Sequence, residues 1–360
     1  MSIEVELLTP NKEYTYEDLL HSCSSSLLYS SIKYRNFLQR ILVNSQDYYL
    51  LAYDSGCLVG ALPSFIKRNS TYGNVLNSLP FYGSNGGVII SPQAANPEKV
   101  KQALIESFHT LAVQESVVVS TLISNPLESD VNFYESYSLY TLRDERIGQL
   151  VNLPTDISNH EKIADSLMNL FHQKTRNCVR KAQKSEITIY HSDSLTALQA
   201  LVDLHEDNIS AIGGISKPFS VFKAIRETFV YDQDYRIYLA EKDGQIIAGL
   251  LIFFYNRTAE YYTPATLASH RIYQPMSLII YEAMLEAAKR GCLYWNWGGT
   301  WLTQTGVYNF KSRWGTQDKK YFYYIKEYDN SNSLRQLTSK QILAEYSYFY
   351  VLPFNLLKNT

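Results

Sequence analysis

Cysteine is scarce in this sequence, and the spacings typical of metal or disulfide sites are missing. The four cysteines, Cys23, Cys57, Cys178 and Cys292, lie far apart in a chain of 360 residues and form no CxxC pair. None of the seven histidines takes part in an HExxH pattern. Zinc sites and disulfide frameworks depend on such spacings, so we predict no metal site and a reduced, cytoplasmic setting.

Long apolar runs and common nucleotide-binding motifs are also missing. No apolar stretch reaches the roughly 18 residues that a membrane span needs, and the acidic N-terminal residues form no signal-peptide core. Walker A, Rossmann glycine and Gly-x-Ser-x-Gly patterns are absent, which disfavours nucleoside triphosphatases, dehydrogenases and hydrolases. Because the net charge is only −2, we expect no DNA partner, and any polyanion site must be local.

What the sequence does contain is one pattern that occurs in both halves. Ser55-Gly56 and Asp243-Gly244 each lie between two apolar runs, which predicts two β-hairpins. Each half continues with a further strand, a helix that begins at Pro97 or Pro275, and another strand. The last three elements form a βαβ unit, whose strands should be parallel. The same order found twice indicates duplicated domains.

This pattern predicts an α/β fold with mixed (α+β) sheets and three segments. The first domain is expected to span residues 1–148. The second, 149–330, begins with a strand that Pro154 ends, and it carries the candidate catalytic site. The segment 331–360 is expected to be a helical and aromatic tail that docks on the body of the protein.

The stretch from Tyr294 to Gly315 is the strongest candidate for chemistry. An aromatic strand leads into Gly298-Gly299, which leave the backbone bare for a ligand, and Phe310-Lys311 follow. A lysine beyond such an opening can place positive charge where negative charge develops in a reaction. With an ordinary pKa near 10.4, Lys311 is expected to be protonated at neutral pH. The alternative is a buried strand, a tight turn and a surface lysine.

A second candidate is a basic helix, predicted from Ile163 to Lys184. It carries an apolar stripe opposite five cations, Lys174, Arg176, Arg180, Lys181 and Lys184. In a chain of net charge −2, this local excess predicts a phosphate-bearing partner, and a solvated charged face is the alternative. Arg271 precedes the helix at Pro275, whose N-terminus can also bind an anion.

These features resemble the FemABX peptidyltransferases, which consist of tandem acyltransferase domains of the GNAT type. The resemblance covers roughly residues 45 to 325 and rests on the repeated plan, the basic helix and the run from Gly298 to Gly315 with Gly306-Val307-Tyr308-Asn309-Phe310-Lys311 inside it. In the first half, Gly60 to Pro63 and Leu79 to Gly83 also look familial. The resemblance implies two tandem GNAT-like domains.

The resemblance also implies a reaction, the transfer of an acyl or aminoacyl group to an amine of a peptidoglycan or polysaccharide precursor. The family's catalytic Phe-Lys pair falls on Phe310 and Lys311. Lys311 would stabilise the oxyanion that forms when the amine attacks the donor carbonyl, and Phe310 either walls the pocket or belongs to the core. The predicted substrate-binding residues are Arg176, Arg180, Lys181, Tyr262, Arg271, Asn296, Trp297, Gly298, Gly299 and Tyr308.

No permanently bound cofactor is expected, and aminoacyl-tRNA or acyl-CoA is the expected donor substrate. The partners implied are a nucleotide- or lipid-linked, phosphate-bearing envelope precursor and tRNA, and contact with a membrane surface is compatible with this reading. The glycine loop that binds pyrophosphate in ordinary GNAT enzymes is missing, and Arg271 to Pro275 stand in its place. The alternatives are an acyl-CoA-dependent N-acyltransferase acting on an amino sugar and a non-catalytic glycan- or precursor-binding module.

Overall fold

The computed structural model describes residues 3–81, 85–128, 130–156, 159–328 and 331–358. Its strands are β1 (Glu4–Leu7), β2 (Ser45–Asp54), β3 (Cys57–Lys67), β4 (Asn74–Asn77), β5 (Ile89–Ile90), β6 (Val117–Ile123), β7 (Leu142–Asn152), β8 (Thr188–His191), β9 (Tyr235–Lys242), β10 (Gln245–Tyr255), β11 (Thr258–Thr266), β12 (Tyr294–Trp301) and β13 (Gln317–Glu327). Its α-helices are α1 (Glu13–Ser22), α2 (Ile32–Ile41), α3 (Pro97–Gln114), α4 (Val131–Tyr137), α5 (His160–Leu170), α6 (Gln173–Gln183), α7 (Leu195–Ser210), α8 (Phe219–Thr228), α9 (Pro275–Lys289), α10 (Thr305–Ser312) and α11 (Ser339–Glu345). Within these described ranges, no helix has the length and apolarity needed to cross a bilayer.

The chain divides into two compact units. The first comprises Met1–Arg146 and Lys320–Thr360, and the second comprises Ile147–Lys319. The chain therefore leaves the first unit within β7 and returns to it within β13. The predicted domains ended at residues 148 and 330. The return comes earlier than residue 330 because β13 pairs with β6, where Tyr323 lies opposite Ile123.

Both units contain the predicted hairpin and βαβ unit. Ser55 and Gly56 have φ angles of 52° and 79°, and Asp243 and Gly244 have 52° and 76°. Two successive left-handed residues are typical of a type I′ turn, whose twist matches that of the flanking strands. Strand β4 pairs parallel with β6, and β11 pairs parallel with β12. The predicted mixed α/β fold is thus confirmed.

In the first unit the strand order is β1-β2-β3-β4-β6-β13, and β5 pairs with β3. The residues after β13 pack against β4 and its preceding turn. Asn77 and Tyr350 exchange two hydrogen bonds, of 2.8 and 2.9 Å, and the Tyr346 hydroxyl donates to the Gly73 carbonyl at 2.7 Å. Tyr82 and Gly83, part of the familial run in this half, lie outside the described residues.

In the second unit the strand order is β7-β12-β11-β10-β9-β8. Helix α9 is the centre of its core, where Ile279, Ile280 and Met284 are fully buried together with Leu250 and Ile252 of β10. Helices α5 and α6 contribute to the same core, and α7 packs against β10 and β11. This packing fixes β11 and β12, the two strands that carry the candidate site.

The single helix predicted from Ile163 to Lys184 was wrong, because the chain breaks it into α5 and α6. Phe171 is extended, with ψ 143°, and the His172 side chain caps α6 by accepting a hydrogen bond from the Lys174 N–H at 3.1 Å. The helical spacing of apolar residues continues across the break between α5 and α6. Only the capping histidine indicates in the sequence that a new helix begins.

Candidate functional site

Strands β11 and β12 separate part-way along their length. They pair only from Thr258 opposite Tyr294 to Glu260 opposite Asn296, although β11 continues to Thr266. On its other side β11 stays paired with β10, with one extra residue, Tyr262, bulged out of register. The carboxyl-terminal part of β12 is therefore not paired with β11. Such a gap exposes backbone groups to a ligand, and a bulge re-aims the side chains beside it.

Asn296 closes the paired end of this gap. Its side-chain N–H donates to the Glu260 carboxylate at 2.9 Å, and its carbonyl oxygen accepts from the Gly298 N–H at 2.9 Å. Asn296 and Glu260 are both buried. Gly298 has a φ of 70°, and an added Cβ would meet no atom within 4 Å. The predicted open backbone at Gly298 is thus present, and Asn296 fixes its start.

An aromatic cluster lies behind the glycines. The Trp297 ring is 2% exposed and lies 4.6 Å from Tyr261 and 5.7 Å from Trp314, measured between ring centres. Phe310 meets Trp297 edge-on at 5.9 Å, yet 39% of it is exposed. Trp297 is thus a core residue, and Phe310 lies between this core and solvent, as the wall of a pocket would.

The familial run ends at Gly315 for a steric reason. Gly315 has a φ of 80°, and an added Cβ would lie 2.7 Å from the Leu170 carbonyl oxygen. Only glycine fits such a left-handed residue pressed against backbone. The end of α5 and the chain after α10 can therefore approach each other closely.

Lys311 projects from α10 toward the separated part of β12. Its ammonium nitrogen donates to the Thr300 hydroxyl at 2.9 Å and to the Gly299 carbonyl at 3.4 Å. The residue is 7% exposed, which excludes the surface lysine that was the alternative. Among the described residues, no carboxylate forms an ion pair with it. The site therefore holds a buried cation beside the part of β12 that is not paired with β11.

Burial lowers the pKa of Lys311 from 10.5 to about 8. The expectation of an ordinary pKa was wrong, because a buried ammonium without a neighbouring carboxylate loses hydration that two hydrogen bonds to neutral oxygens do not fully replace. At pH 7 roughly 90% of the groups are still protonated. The group can therefore act as a charged donor at neutral pH and as a neutral amine above pH 8.

Lys311→Met should be more stable relative to the unmodified chain at pH 7 than at pH 10, because at pH 7 the charged lysine costs the fold about 3 kcal/mol relative to the neutral lysine, at about 1.4 kcal/mol for each unit of pKa. The folded pKa is lowered, so the unfolded chain binds more protons between about pH 8 and 10.5. Stability of the unmodified chain therefore rises with pH across that window, and the advantage of methionine should shrink.

Urea unfolding at pH 7 and pH 10 measures this difference. The exposed Lys319→Met is the matched control and should change neither value by more than about 0.5 kcal/mol. A Lys311→Met advantage that is the same at both pH values would contradict the lowered pKa.

The three predicted phosphate-binding residues of α6 fall into two groups. Arg176 is occupied, because its guanidinium donates to the Phe171 carbonyl at 2.6 Å and so caps α5. Arg180 and Lys181 are exposed and form no ion pair with any carboxylate that the structure describes. We call these two residues, with the equally exposed Lys174 and Lys184, the basic face of α6.

Arg271 and Tyr308 differ in whether their side chains are available to bind a ligand. Arg271 is exposed in the 3₁₀ helix Ala268–Tyr273, which runs directly into α9. The Tyr308 hydroxyl is already bonded to the Asp318 carboxylate at 2.7 Å. Of this pair, Arg271 is the one whose side chain is unoccupied by the rest of the described chain.

Tyr262 belongs to a partly buried cluster that sequence reasoning missed. The Lys217 ammonium lies 4.6 Å from the centre of the Tyr262 ring and donates to the Thr263 hydroxyl at 3.1 Å. The Lys217 backbone N–H donates to His205 Nε2 at 3.3 Å. Burial lowers the pKa of Lys217 to about 8 and that of His205 to about 4. Its residues come from α7, a loop and β11, so no local motif could have indicated it.

Residues 170–312 match the family model described as an acetyltransferase (GNAT) domain. The matched residues all lie within the second unit. The match includes the basic face of α6, both strands of the gap and Lys311. No curated protein matches the sequence significantly.

Solved structures share the fold of nearly the whole chain. FemX superposes with a TM-score of 0.70 at 15% identity, covering 89% of this chain and 96% of that one. A tandem GNAT protein from the clavulanic acid biosynthesis pathway gives 0.56 at 11% identity, with 91% and 98% covered. The C-terminal domain of a candidate lysylphosphatidylglycerol synthetase from Agrobacterium fabrum gives 0.53 at 10% identity, with 92% and 96% covered.

At these identities the likeness shows a shared fold. The predicted tandem GNAT fold is confirmed, and the resemblance to FemABX proteins holds at the level of architecture. Together with the GNAT domain match, this supports acyltransferase activity, the predicted class of enzyme.

Proposed function

We propose that this chain transfers an acyl or aminoacyl group from an activated donor to an amine of a cell-envelope precursor, in peptidoglycan or polysaccharide synthesis. The observation that carries the proposal is the buried Lys311 ammonium beside the gap between β11 and β12. The envelope context is supported by the names of two proteins with this fold, FemX and the lysylphosphatidylglycerol synthetase.

The reaction needs a positively charged hydrogen-bond donor at the carbonyl oxygen of the donor substrate. The acceptor nitrogen forms a bond to the donor carbonyl carbon, and the carbonyl oxygen becomes an oxyanion. The bond from that carbon to the donor oxygen or sulfur then breaks, and the leaving atom takes the proton that the amine gives up. An ammonium has three N–H groups, and Lys311 uses two of them for Thr300 and Gly299. The third stabilises the oxyanion.

Aminoacyl-tRNA is the donor that the surface favours. The basic face of α6 and Arg271 present cations without paired carboxylates in the described chain, as phosphate binding requires. Before α9, Gln274 is left-handed, with φ 60°, and Pro275 has no N–H to offer a pyrophosphate. Acyl-CoA is the second candidate, because the matched family model is an acetyltransferase domain.

Incubation with radiolabelled aminoacyl-tRNA and a nucleotide-linked peptidoglycan precursor should give a labelled precursor, and acetyl-CoA should give none. The reason is that tRNA can engage the basic face, whereas no pyrophosphate loop is present for CoA. Mass spectrometry of the product gives the mass added to the amine.

Two other outcomes decide against this proposal. A thermal shift with acetyl-CoA, together with acetylation of an amino sugar, would support the N-acyltransferase alternative. Binding of the precursor without turnover of either donor would support the non-catalytic module instead.

A further inference from the structure

Lys311 is the end of a line of buried polar groups that crosses three elements. Its ammonium donates to the Thr300 hydroxyl of β12, and that hydroxyl donates to the Gln149 side-chain oxygen of β7 at 3.4 Å. Thr300 is 1% exposed and Gln149 is fully buried. Neither residue was expected to belong to the site. A buried amide and hydroxyl facing a cation are costly unless each bond is made, so their arrangement is specific.

The directions of these hydrogen bonds are fixed by the far end of the line. The Gln149 side-chain N–H₂ donates to the Tyr308 carbonyl at 3.3 Å and to the Thr316 hydroxyl at 3.4 Å. Turning the amide over would set its oxygen against the Tyr308 carbonyl, so the oxygen must face Thr300. A hydroxyl has one hydrogen, and because Gln149 accepts it, the Thr300 lone pairs point to Lys311.

We infer that Gln149 and Thr300 are positioning residues for Lys311, which aim its ammonium at the gap and stabilise its charged form. The role of the two residues in catalysis rests on the proposed function. Their effect on the pKa of Lys311 does not depend on it. A hydrogen bond accepted from the charged form favours that form, and a nearby negative charge favours it further.

Two variants should therefore lower the measured pKa of Lys311. Thr300→Val keeps the shape but removes the acceptor, so the measured pKa of Lys311 should fall by about one. Gln149→Leu removes the oxygen that accepts the Thr300 hydrogen, so the hydroxyl lone pairs are no longer held toward Lys311 and the measured pKa should fall by a smaller amount. Thr300→Ser retains the oxygen and should stay close to the unmodified chain.

The measurement is an NMR titration of the full chain labelled at lysine Cε, with the Lys311 signal assigned by its loss in Lys311→Met. The matched control is Thr263→Val, which removes the hydroxyl that Lys217 contacts and should leave the Lys311 titration unchanged. The pH profile of kcat should move with the measured pKa of Lys311. If Thr300→Val does not fold, Thr300→Ala removes the same oxygen.

The two ideas fail separately. A Lys311 titration that is the same in Thr300→Val, Gln149→Leu and the unmodified chain overturns the positioning, whatever the activity of Lys311→Met. Full turnover by Lys311→Met overturns the proposed function, whatever the titration. A merely structural role of Thr300 would not lower the pKa of Lys311 in Thr300→Val and leave it unchanged in Thr300→Ser.

Discussion

Lys311→Met should lower kcat about 10²–10³-fold, the usual cost of removing one oxyanion donor. Methionine has a similar length and is apolar, so the buried position stays filled while the charge is lost. Single-turnover transfer from the donor to the acceptor amine measures the chemical step, and circular dichroism verifies the fold. The exposed Lys319→Met is the control and should keep full activity.

The pH dependence of kcat distinguishes a charged Lys311 that stabilises the oxyanion from a neutral Lys311 that acts as a general base. If the ammonium stabilises the oxyanion, the ratio of kcat in the unmodified chain to kcat in Lys311→Met is largest below the pKa of about 8 and falls as pH rises through it. The ratio cancels the ionisation of the acceptor amine, which both proteins share. A ratio that instead rises through pH 8 would make Lys311 a general base and overturn the oxyanion role.

Arg180→Glu combined with Lys181→Glu should weaken tRNA binding about 10- to 100-fold at low salt, because two phosphate contacts are lost. The salt dependence of binding should also become weaker, since fewer counterions are released. Both residues lie on the exposed basic face of α6 and have no carboxylate partner within the described part of the chain. Filter binding between 50 and 200 mM salt, at roughly these concentrations, measures the affinity and its slope.

The control for this double variant reverses two exposed charges in the first unit, Lys340→Glu and Lys358→Glu. It makes the same change in net charge in the other unit, so it should have little effect on affinity. Equal weakening in both double variants would mean a general charge effect and would remove the basic face from the proposal.

Much of the fold follows from local signals. Ser55-Gly56 and Asp243-Gly244 adopt the left-handed turns that their residue types predict, and the parallel pairs β4–β6 and β11–β12 follow from the helices between them. These features depend on a few neighbouring residues, which the sequence states directly. The break at Phe171 was missed because a histidine cap carries less signal than the apolar period that spans it.

The candidate site was only partly predictable. Gly298 and Lys311 could be found because a glycine turn and a Phe-Lys pair are local features. The burial of Lys311, and hence its pKa, depends on Thr300 and on Gln149, which lies 151 positions before Thr300 in the chain. The occupied guanidinium of Arg176 likewise depends on a helix break, and Lys217 contacts residues of a distant strand. Charge and residue type alone carry no information on such contacts.

The order of synthesis on the ribosome acts differently on the two units. The second is one continuous stretch, Ile147–Lys319, whereas the first includes Lys320–Thr360. Strand β13 borders β6, so the sheet of the first unit is incomplete until translation has passed Glu327. The N-terminal part of the chain must therefore wait with an open β6 edge while later residues emerge, and an unpaired edge of this kind is where newly made chains associate with one another.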